Sequence, residues 1–256
     1  MLKEQPKVSI VMSCYNAEST LQRAVNSILD QTFTDFELII IDDASSDQTS
    51  EILNQYALND TRIQLVTNEK NQGLSYSLNK GIKIAQSQII ARMDADDYAY
   101  PDRILKQYEF LLTHKKVDIL GSAVRYLNED GEVFKSLTLP TTHEHIVHRI
   151  FKKTIVFHPT IMLRKQVYEN HGYYDPKLRW AEDADLWYRI YDQVTFHNLQ
   201  EILLDYTVKS SISNRILCNN IRVKWDNLRK RGLVLSHLPY IMRDLITLSL
   251  RRVKNY

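Results

Sequence analysis

Glycine is scarce in this chain, with six in 256 residues at positions 73, 81, 121, 131, 172 and 232. No G-x-G-x-x-G and no G-x-x-x-x-G-K-[ST] can be written from those positions, so the dinucleotide fingerprint and the P-loop are both excluded. Cysteine is scarcer still. Cys14 and Cys218 are too few and too far apart for a disulfide framework or a Cys-rich zinc site, which fits a reducing compartment and makes the cytosol the expected setting. Long apolar runs are missing, and Met1 to Pro6 is short and polar and leads straight into a strand. Neither a membrane span nor a signal peptide is therefore expected. Net charge is small, +2, but unevenly spread: residues 215–256 hold ten Lys or Arg against Asp226 and Asp244, which leaves the body acidic.

What the chain does have is 44% hydrophobic content, enough for one substantial core in a single α/β domain. Residues 7–12, 37–41 and 63–67 are short β-branched apolar runs. Segments with helical spacing lie between them, at about 20–30 and 48–57. This alternation predicts crossover units on a parallel sheet. A helix over 74–85 and a strand over 87–93 extend the pattern. Beyond Pro101 the order becomes mixed: a helix to about His114, strands at 117–124 and up to 139, a strand near 159–163, a helix over 181–192 and a strand near 201–206. The expected architecture is a Rossmann-like mixed sheet with helices on both faces, a catalytic domain over 1–210 and a basic, amphipathic helical tail over 211–256.

In open α/β sheets ligands bind beyond the carboxyl ends of the strands. The residues there are polar and acidic: Ser13, Cys14, Tyr15, Asn16 and Glu18 after the first strand, Asp42 and Asp43 after the second, Asp94, Asp96 and Asp97 after the fourth. Carboxylates crowded at one rim repel each other, and a cation is the economical reason to keep them together. Hard oxygen ligands with few nearby histidines suit Mg²⁺ or Mn²⁺, which complete their shells with substrate phosphates, so a diphosphate-bearing substrate is expected. Asp47 reads as a turn former. His143, His145 and His148 miss the H-E-x-x-H zinc pattern because Val147 stands four after His143, and they read as a solvated helix start.

Five segments in order, VSIVMSCYNAESTLQRAVNSILDQT, ELIIIDDASSDQT, NQGLSYSLNKGIKIA, IIARMDADD and AEDADLW, resemble the family-two glycosyltransferases over about residues 6–206. The resemblance implies the GT-A fold and inverting transfer of a hexose or N-acetylhexosamine, most often from a UDP-sugar, to a hydroxyl of a glycan or lipid-linked acceptor. It implies that Tyr15, Asn16 and Glu18 lie around the uracil, that Asp43 contacts the base, and that Asn71 and Gly73 form a turn near the nucleotide. Arg92 and Ala95 fall beside the donor. Asp94 and Asp96 match the metal-associated pair, with Asp96 the direct ligand and Asp94 near the ribose or metal waters. The Glu182-Asp183 pair matches the segment that supplies the catalytic base, placed on Asp183 ahead of Glu182, with Trp187 below it. His158 is either an active-site residue or a packed core histidine, and Trp180 either stacks on a sugar or belongs to the core or a lid.

The tail carries apolar residues at helical spacing, Ile216, Ile221, Val223 and Trp225, then Leu238, Ile241, Met242, Leu245, Ile246 and 248–250, interleaved with basic ones. It either docks on an anionic membrane surface or covers the catalytic domain with its charges in water. No nucleic-acid-binding signature accompanies it. By likeness to the family, the setting is surface-polysaccharide synthesis, lipopolysaccharide or capsule, at the inner face of the cytoplasmic membrane. Two rivals remain. A sugar-nucleotide-forming nucleotidyltransferase would share the acidic metal site, but the Ser13–Asn16 loop has none of the glycine such enzymes usually present. A non-catalytic sugar-nucleotide-binding module would not need Asp183.

Overall fold

The second expected strand is continuous apolar chain, FELIIID, and in the computed structural model it is buried on both faces along its whole length, as the interior strand of a parallel sheet must be. The structure describes residues 5–208 and 214–254, so the domain boundary expected at 210/211 lies outside the described residues. Strands β1 (Val8–Cys14), β2 (Phe36–Asp42), β3 (Ile63–Thr67) and β4 (Ile89–Asp94) form a parallel half-sheet ordered β3-β2-β1-β4. Helices α1 (Leu21–Leu29), α2 (Thr49–Asn59) and α3 (Leu74–Ile84) are the crossovers. Alternate side chains of β2 point to opposite faces, Leu38 and Ile40 toward α1 and α2, Ile39 and Ile41 toward α3. A Cβ on Gly81 would lie 2.6 Å from Val11 Cγ1, so α3 can seat this close to β1 only through a glycine.

The second half makes the sheet mixed. The acidic end of β4 leads into β5 (Tyr98–Ala99) and α4 (Arg103–Thr113). After them come β6 (Ile119–Leu127), β7 (Val133–Leu137), α5 (His143–Val147), a single 3-10 turn at His158–Thr160, β8 (Met162–Arg164) and α6 (Gln166–His171). Then follow α7 (Glu182–Ile190) and β9 (Phe196–Thr207). β8 runs antiparallel to β4 and to β6, β9 parallel to β6, and β5 antiparallel to β9, giving the order β3-β2-β1-β4-β8-β6-β9-β5 with β7 paired to β6. Helices cover both faces, α1, α2 and α4 on one and α3, α5, α6 and α7 on the other.

The expected elements are present with ends close to those read from periodicity. Four details differ. The strand expected near 159–163 is a 3-10 turn at His158–Thr160 followed by the three-residue β8, because Pro159 supplies no amide for a ladder. β5 and α6 are too short to show a period, and β9 starts at Phe196 rather than near Glu201 because register shifts opposite Ser122–Val124 break its alternation. The turn-former reading of Asp47 fits: its Oδ1 accepts from the Thr49 amide at 3.0 Å. His145 and His148 are exposed on and just after α5, and among the described residues the acidic group at 94–97 is the only cluster of potential metal ligands.

The tail forms α8 (Asn214–Lys230) and α9 (Val234–Lys254). Val223, Leu228 and Ile241 join the core cluster beneath α7. Asn227 Nδ2 donates to Asp185 Oδ1 at 3.1 Å, and Arg231 pairs with Asp192 at 2.7 Å. α9 presents Leu235, Leu238, Met242, Leu245, Ile246 and Leu250 outward, a stripe at helical spacing. None of the described helices is long and apolar enough to cross a membrane.

Candidate active site

The loop leaving β1 is held by the loop leaving β2. Asn16 sits at φ 49°, its Oδ1 accepting from the Ser46 amide at 2.8 Å while its own amide donates to Ser45 Oγ at 3.0 Å. Glu18 accepts from the Gln48 amide at 2.9 Å. Both residues brace the two loops. Asn16 and half-exposed Tyr15 also line the cleft, and Glu18 does not. Asp42 is turned away from the crevice, fully buried and bonded to Ser45 at 2.6 Å and to Ser50. Burial, reinforced by Asp42, Asp47 and Asp43, pushes the Cys14 thiol far up, so it is no nucleophile.

Asp43 organises the other wall. Its Oδ1 accepts from Asn68 Nδ2 and from the Gln72 amide, both at 2.8 Å, and its Oδ2 from the Gly73 amide at 2.7 Å. The carboxylate thereby folds the turn 71–73, in which Gly73 takes φ 91° and Asn71 Oδ1 accepts from Arg179 at 2.9 Å. Ser13, Tyr15, Asp43, Asn71, Gly73 and Arg179 then line a cleft of about 440 Å³. It shares Ser13, Cys14 and Tyr15 with a neighbouring cleft of about 450 Å³ that reaches Asp94, Ala95 and Asp96.

At the end of β4, Arg92 is 4% exposed and lies behind Asp94 rather than on the open cleft. It grips both Asp94 oxygens, Nη1 donating to Oδ2 at 2.6 Å and Nη2 to Oδ1. Asp94, Asp96 and Asp97 bring one carboxylate oxygen each within 4.8 Å of the others. Asp97 is fully buried: its Oδ1 accepts from the Thr207 amide at 2.8 Å, and its Oδ2 has no partner. Burial first, then Asp94 and Asp96, push its carboxyl well above the usual range. A buried, unpartnered carboxylate oxygen beside two further acids fits a hard divalent cation of the Mg²⁺ or Mn²⁺ type. The hold of Arg92 on Asp94 favours Asp96 as direct ligand.

The third part is α7. Its first turn carries Glu182, Asp183 and Asp185, favourable near a helix N-terminus. Each does something different. Asp185 is bound to Arg189 at 2.9 Å and to Asn227, tying α7 to α8. Glu182 is 7% exposed with His158 Nδ1 3.5 Å from its Oε1. Asp183, partly exposed, lines a cavity together with Glu182 and Trp187. Burial raises the carboxyls of both Glu182 and Asp183. His158 is buried, and its Nε2 meets Tyr174 Oη at 2.8 Å, which meets Tyr168 Oη at 2.9 Å. Burial, then Arg92, drives His158 down to about 3, so it is neutral and serves as a packed, hydrogen-bonded neighbour of the acidic turn. Trp187 is 3% exposed, as expected under the acidic turn, and its Nε1 has no partner. Trp180 lies on the wall shared by two clefts with the Arg215 guanidinium 5.9 Å over its ring.

Four contributors escape a reading of motifs. Thr207, at the far end of β9, closes the acidic loop, its Oγ1 donating to the Asp96 carbonyl at 2.6 Å. Arg179 closes the 71–73 turn from more than a hundred residues away. Lys224 and Asn220 of α8 line the Asp183 cavity. Adjacency of Arg179 to Trp180 and the acidic turn is the single sequence signal among them.

An α/β sheet with its acids gathered at the carboxyl ends of parallel strands, extended by a mixed half that delivers α7, is the GT-A type of glycosyltransferase fold. The S. aureus TarS structure in complex with UDP superimposes with a TM-score of 0.68 at 22% identity, covering 87% of this chain and 65% of that one. The TarS complex with UDP-GlcNAc gives 0.67 at 19%, covering 94% and 80%. In sequence the chain is 36% identical over 249 residues to EpsE of Bacillus subtilis, covering 94% of this chain and 88% of EpsE. It is 35% identical to the O-antigen biosynthesis glycosyltransferase WbnJ of Escherichia coli, covering 81% and 82%. The glycosyl transferase family 2 model matches residues 9–172. The chain belongs to glycosyl transferase family 2.

Proposed function

We propose that this glycosyltransferase transfers a hexose or N-acetylhexosamine from a UDP-sugar, with inversion, to a hydroxyl of a glycan or lipid-linked acceptor in surface polysaccharide synthesis. The observation that carries the reading is the acidic cluster Asp94, Asp96 and Asp97 on a cleft continuous with the one around Tyr15, Asp43 and Asn71. UDP and UDP-GlcNAc in the TarS complexes, and O-antigen synthesis in the name of WbnJ, support the donor and the setting.

Tyr15 and the 71–73 turn hold the nucleoside, with Asp43 shaping that turn. Asp96, with Asp94 and Asp97 beside it, holds Mn²⁺ or Mg²⁺, which when bound supplies positive charge against the diphosphate. Asp183 takes the proton of the acceptor hydroxyl as that oxygen attacks the anomeric carbon, and the bond to the nucleoside diphosphate breaks on the opposite side. A carboxylate raised by burial is a stronger base than an exposed one, which suits this role. Asp185 is committed to Arg189 and Asn227, and Glu182 is turned toward His158, so Asp183 is the base we assign.

Titration calorimetry with UDP, with and without Mn²⁺, on the wild type and Asp96→Ala tests the donor site. Metal-dependent UDP binding that the variant loses is the expected result. Binding of GDP alone would change the donor class, and binding of neither would refute the reading of the acidic cluster. The outward stripe of α9, on a tail rich in Lys and Arg, further supports peripheral attachment to the inner face of the cytoplasmic membrane. Co-sedimentation with anionic but not with zwitterionic vesicles is its test.

A further inference from the structure

The cavity that holds Asp183 measures about 440 Å³, within the range of small-molecule sites, and one wall of it is not part of the catalytic half. Ile216, Asn220 and Lys224 stand four residues apart on α8 and close it from the side of the C-terminal helices. It adjoins the donor cleft through Leu74, Arg179 and Trp180, which line both. An acceptor bound here would meet Asp183 on one side and the donor on the other.

Two features of the lining describe that acceptor. The indole of Trp187 forms a buried part of the cavity wall, and its Nε1 has no partner in the protein. The second feature is charge. Lys152, Lys153 and Arg179 line the cavity, and none has a carboxylate partner among the described residues. Lys152 meets the His148 ring at 3.0 Å and lies 5.2 Å over Tyr240, and Arg179 donates to the Asn71 amide oxygen. Lys153 is exposed. Lys224, deeper in the wall, is by contrast already neutralised by Asp244. Cations without a carboxylate partner, around a cavity whose own carboxylates are Glu182 and the proposed base Asp183, call for an anion from outside.

We propose that the acceptor carries a fixed negative charge, a phosphate or a uronate carboxylate, held by Lys152, Lys153 and Arg179 while its hydroxyl faces Asp183. In this reading α8 is a working wall of the acceptor site. This rests on the assignment of the cavity to the acceptor made above. The donor site accounts for Asp94 to Asp97 and for Arg179, which lines both clefts, and leaves Lys152 and Lys153 unexplained.

The test fills the donor site with UDP and Mn²⁺ and then titrates three families of probe: sugar 1-phosphates, methyl uronosides and neutral methyl glycosides. Binding is read by calorimetry and by the fluorescence of Trp180 and Trp187. At least one charged family is expected to bind tenfold or more tighter than the neutral one, and which of the two does so tells phosphate from carboxylate. Lys153→Glu, at an exposed position that leaves packing intact, should abolish that preference without changing UDP affinity, and Lys152→Ala should weaken it. Equal affinity for charged and neutral probes, or no binding of any charged probe, overturns the proposal. Loss of UDP binding itself would instead sink the donor reading, so the two failures are distinguishable.

Discussion

Asp43 is the residue on which the expected role and the observed geometry make different predictions. If the carboxylate acts chiefly by shaping the turn 71–73, Asp43→Asn puts an amide Nδ2 against a backbone N–H of Gly73, where an acceptor stood 2.7 Å away, and weakens two further bonds at 2.8 Å. Leaving one buried donor unsatisfied costs about 1–3 kcal/mol, and hydrogen bonds to a charged acceptor are worth about 1.5–3 kcal/mol each. The turn is only partly buried, so water recovers some of this, and a net loss of about 2–4 kcal/mol is expected. For a chain of this size that is roughly 4–16 °C in Tm. Calorimetric melting without ligand, paired with UDP titration at a temperature where the variant is folded, separates the roles. The expected result is a lowered Tm and weakened UDP binding together. An unchanged Tm with UDP affinity lost tenfold or more would refute the turn-shaping argument and return Asp43 to a direct contact with the base.

Asp183→Asn should lower kcat by about 10²–10⁴-fold while leaving the UDP dissociation constant unchanged, the signature of a lost general base. Because burial raises the Asp183 carboxyl, the acid limb of the wild-type kcat/KM profile should lie above the ordinary Asp value of 3.8, and a limb at or below it would contradict the assignment. His158 protonates near 3 in the folded state against 6.5 when unfolded, so the unfolded chain binds more protons between these values and stability falls as pH drops below about 6.5. The raised Glu182 and Asp183 carboxyls act in the opposite sense and are present in both wild type and His158→Gln, so the difference between the two reads chiefly the histidine. The variant should lose less stability than the wild type between pH 7 and 5, as read by urea denaturation. Trp187→Phe removes an unsatisfied N–H but leaves a void where the rest of the indole stood, so a net loss of about 1–3 kcal/mol is expected in urea denaturation. A loss of more than about 5 kcal/mol would mean that the N–H has a partner.

The parallel half of the fold was legible because its strands are apolar runs bounded by polar turns, and because an apolar strand that ends in several acids is an unusual thing to build. What could not be read was which of two adjacent acids faces the cleft. Asp42 and Asp43 are chemically identical in sequence, yet one is spent on Ser45 and Ser50 and the other on the 71–73 turn. That choice is made by partners three to thirty residues away. Asp97 differs from Asp96 for a longer-range reason, the arrival of the Thr207 amide. Glu182, Asp183 and Asp185 fall in one helical turn, and only the family resemblance put Asp183 first. His158 and Asn227, on other elements, separate them. Local pattern thus located the site, and tertiary partners distributed the work within it.

The bond from Thr207 to Asp97 spans 110 residues of chain, and the strand that carries Thr207 pairs along β6, itself some eighty residues earlier. Contacts of such separation form late, since loop-closure entropy must be overcome first. As the chain leaves the ribosome from its N-terminus, the tyrosine, the asparagines and all the acids of the donor clefts emerge well before the segment that closes them. An intermediate lacking β9 would carry the acidic loop without its tether, its carboxylates repelling one another and open to any passing cation. On the proposal that this cluster holds a divalent cation, metal present during synthesis would bias the loop toward its final shape, and the yield of active enzyme should then depend on when the ion is supplied.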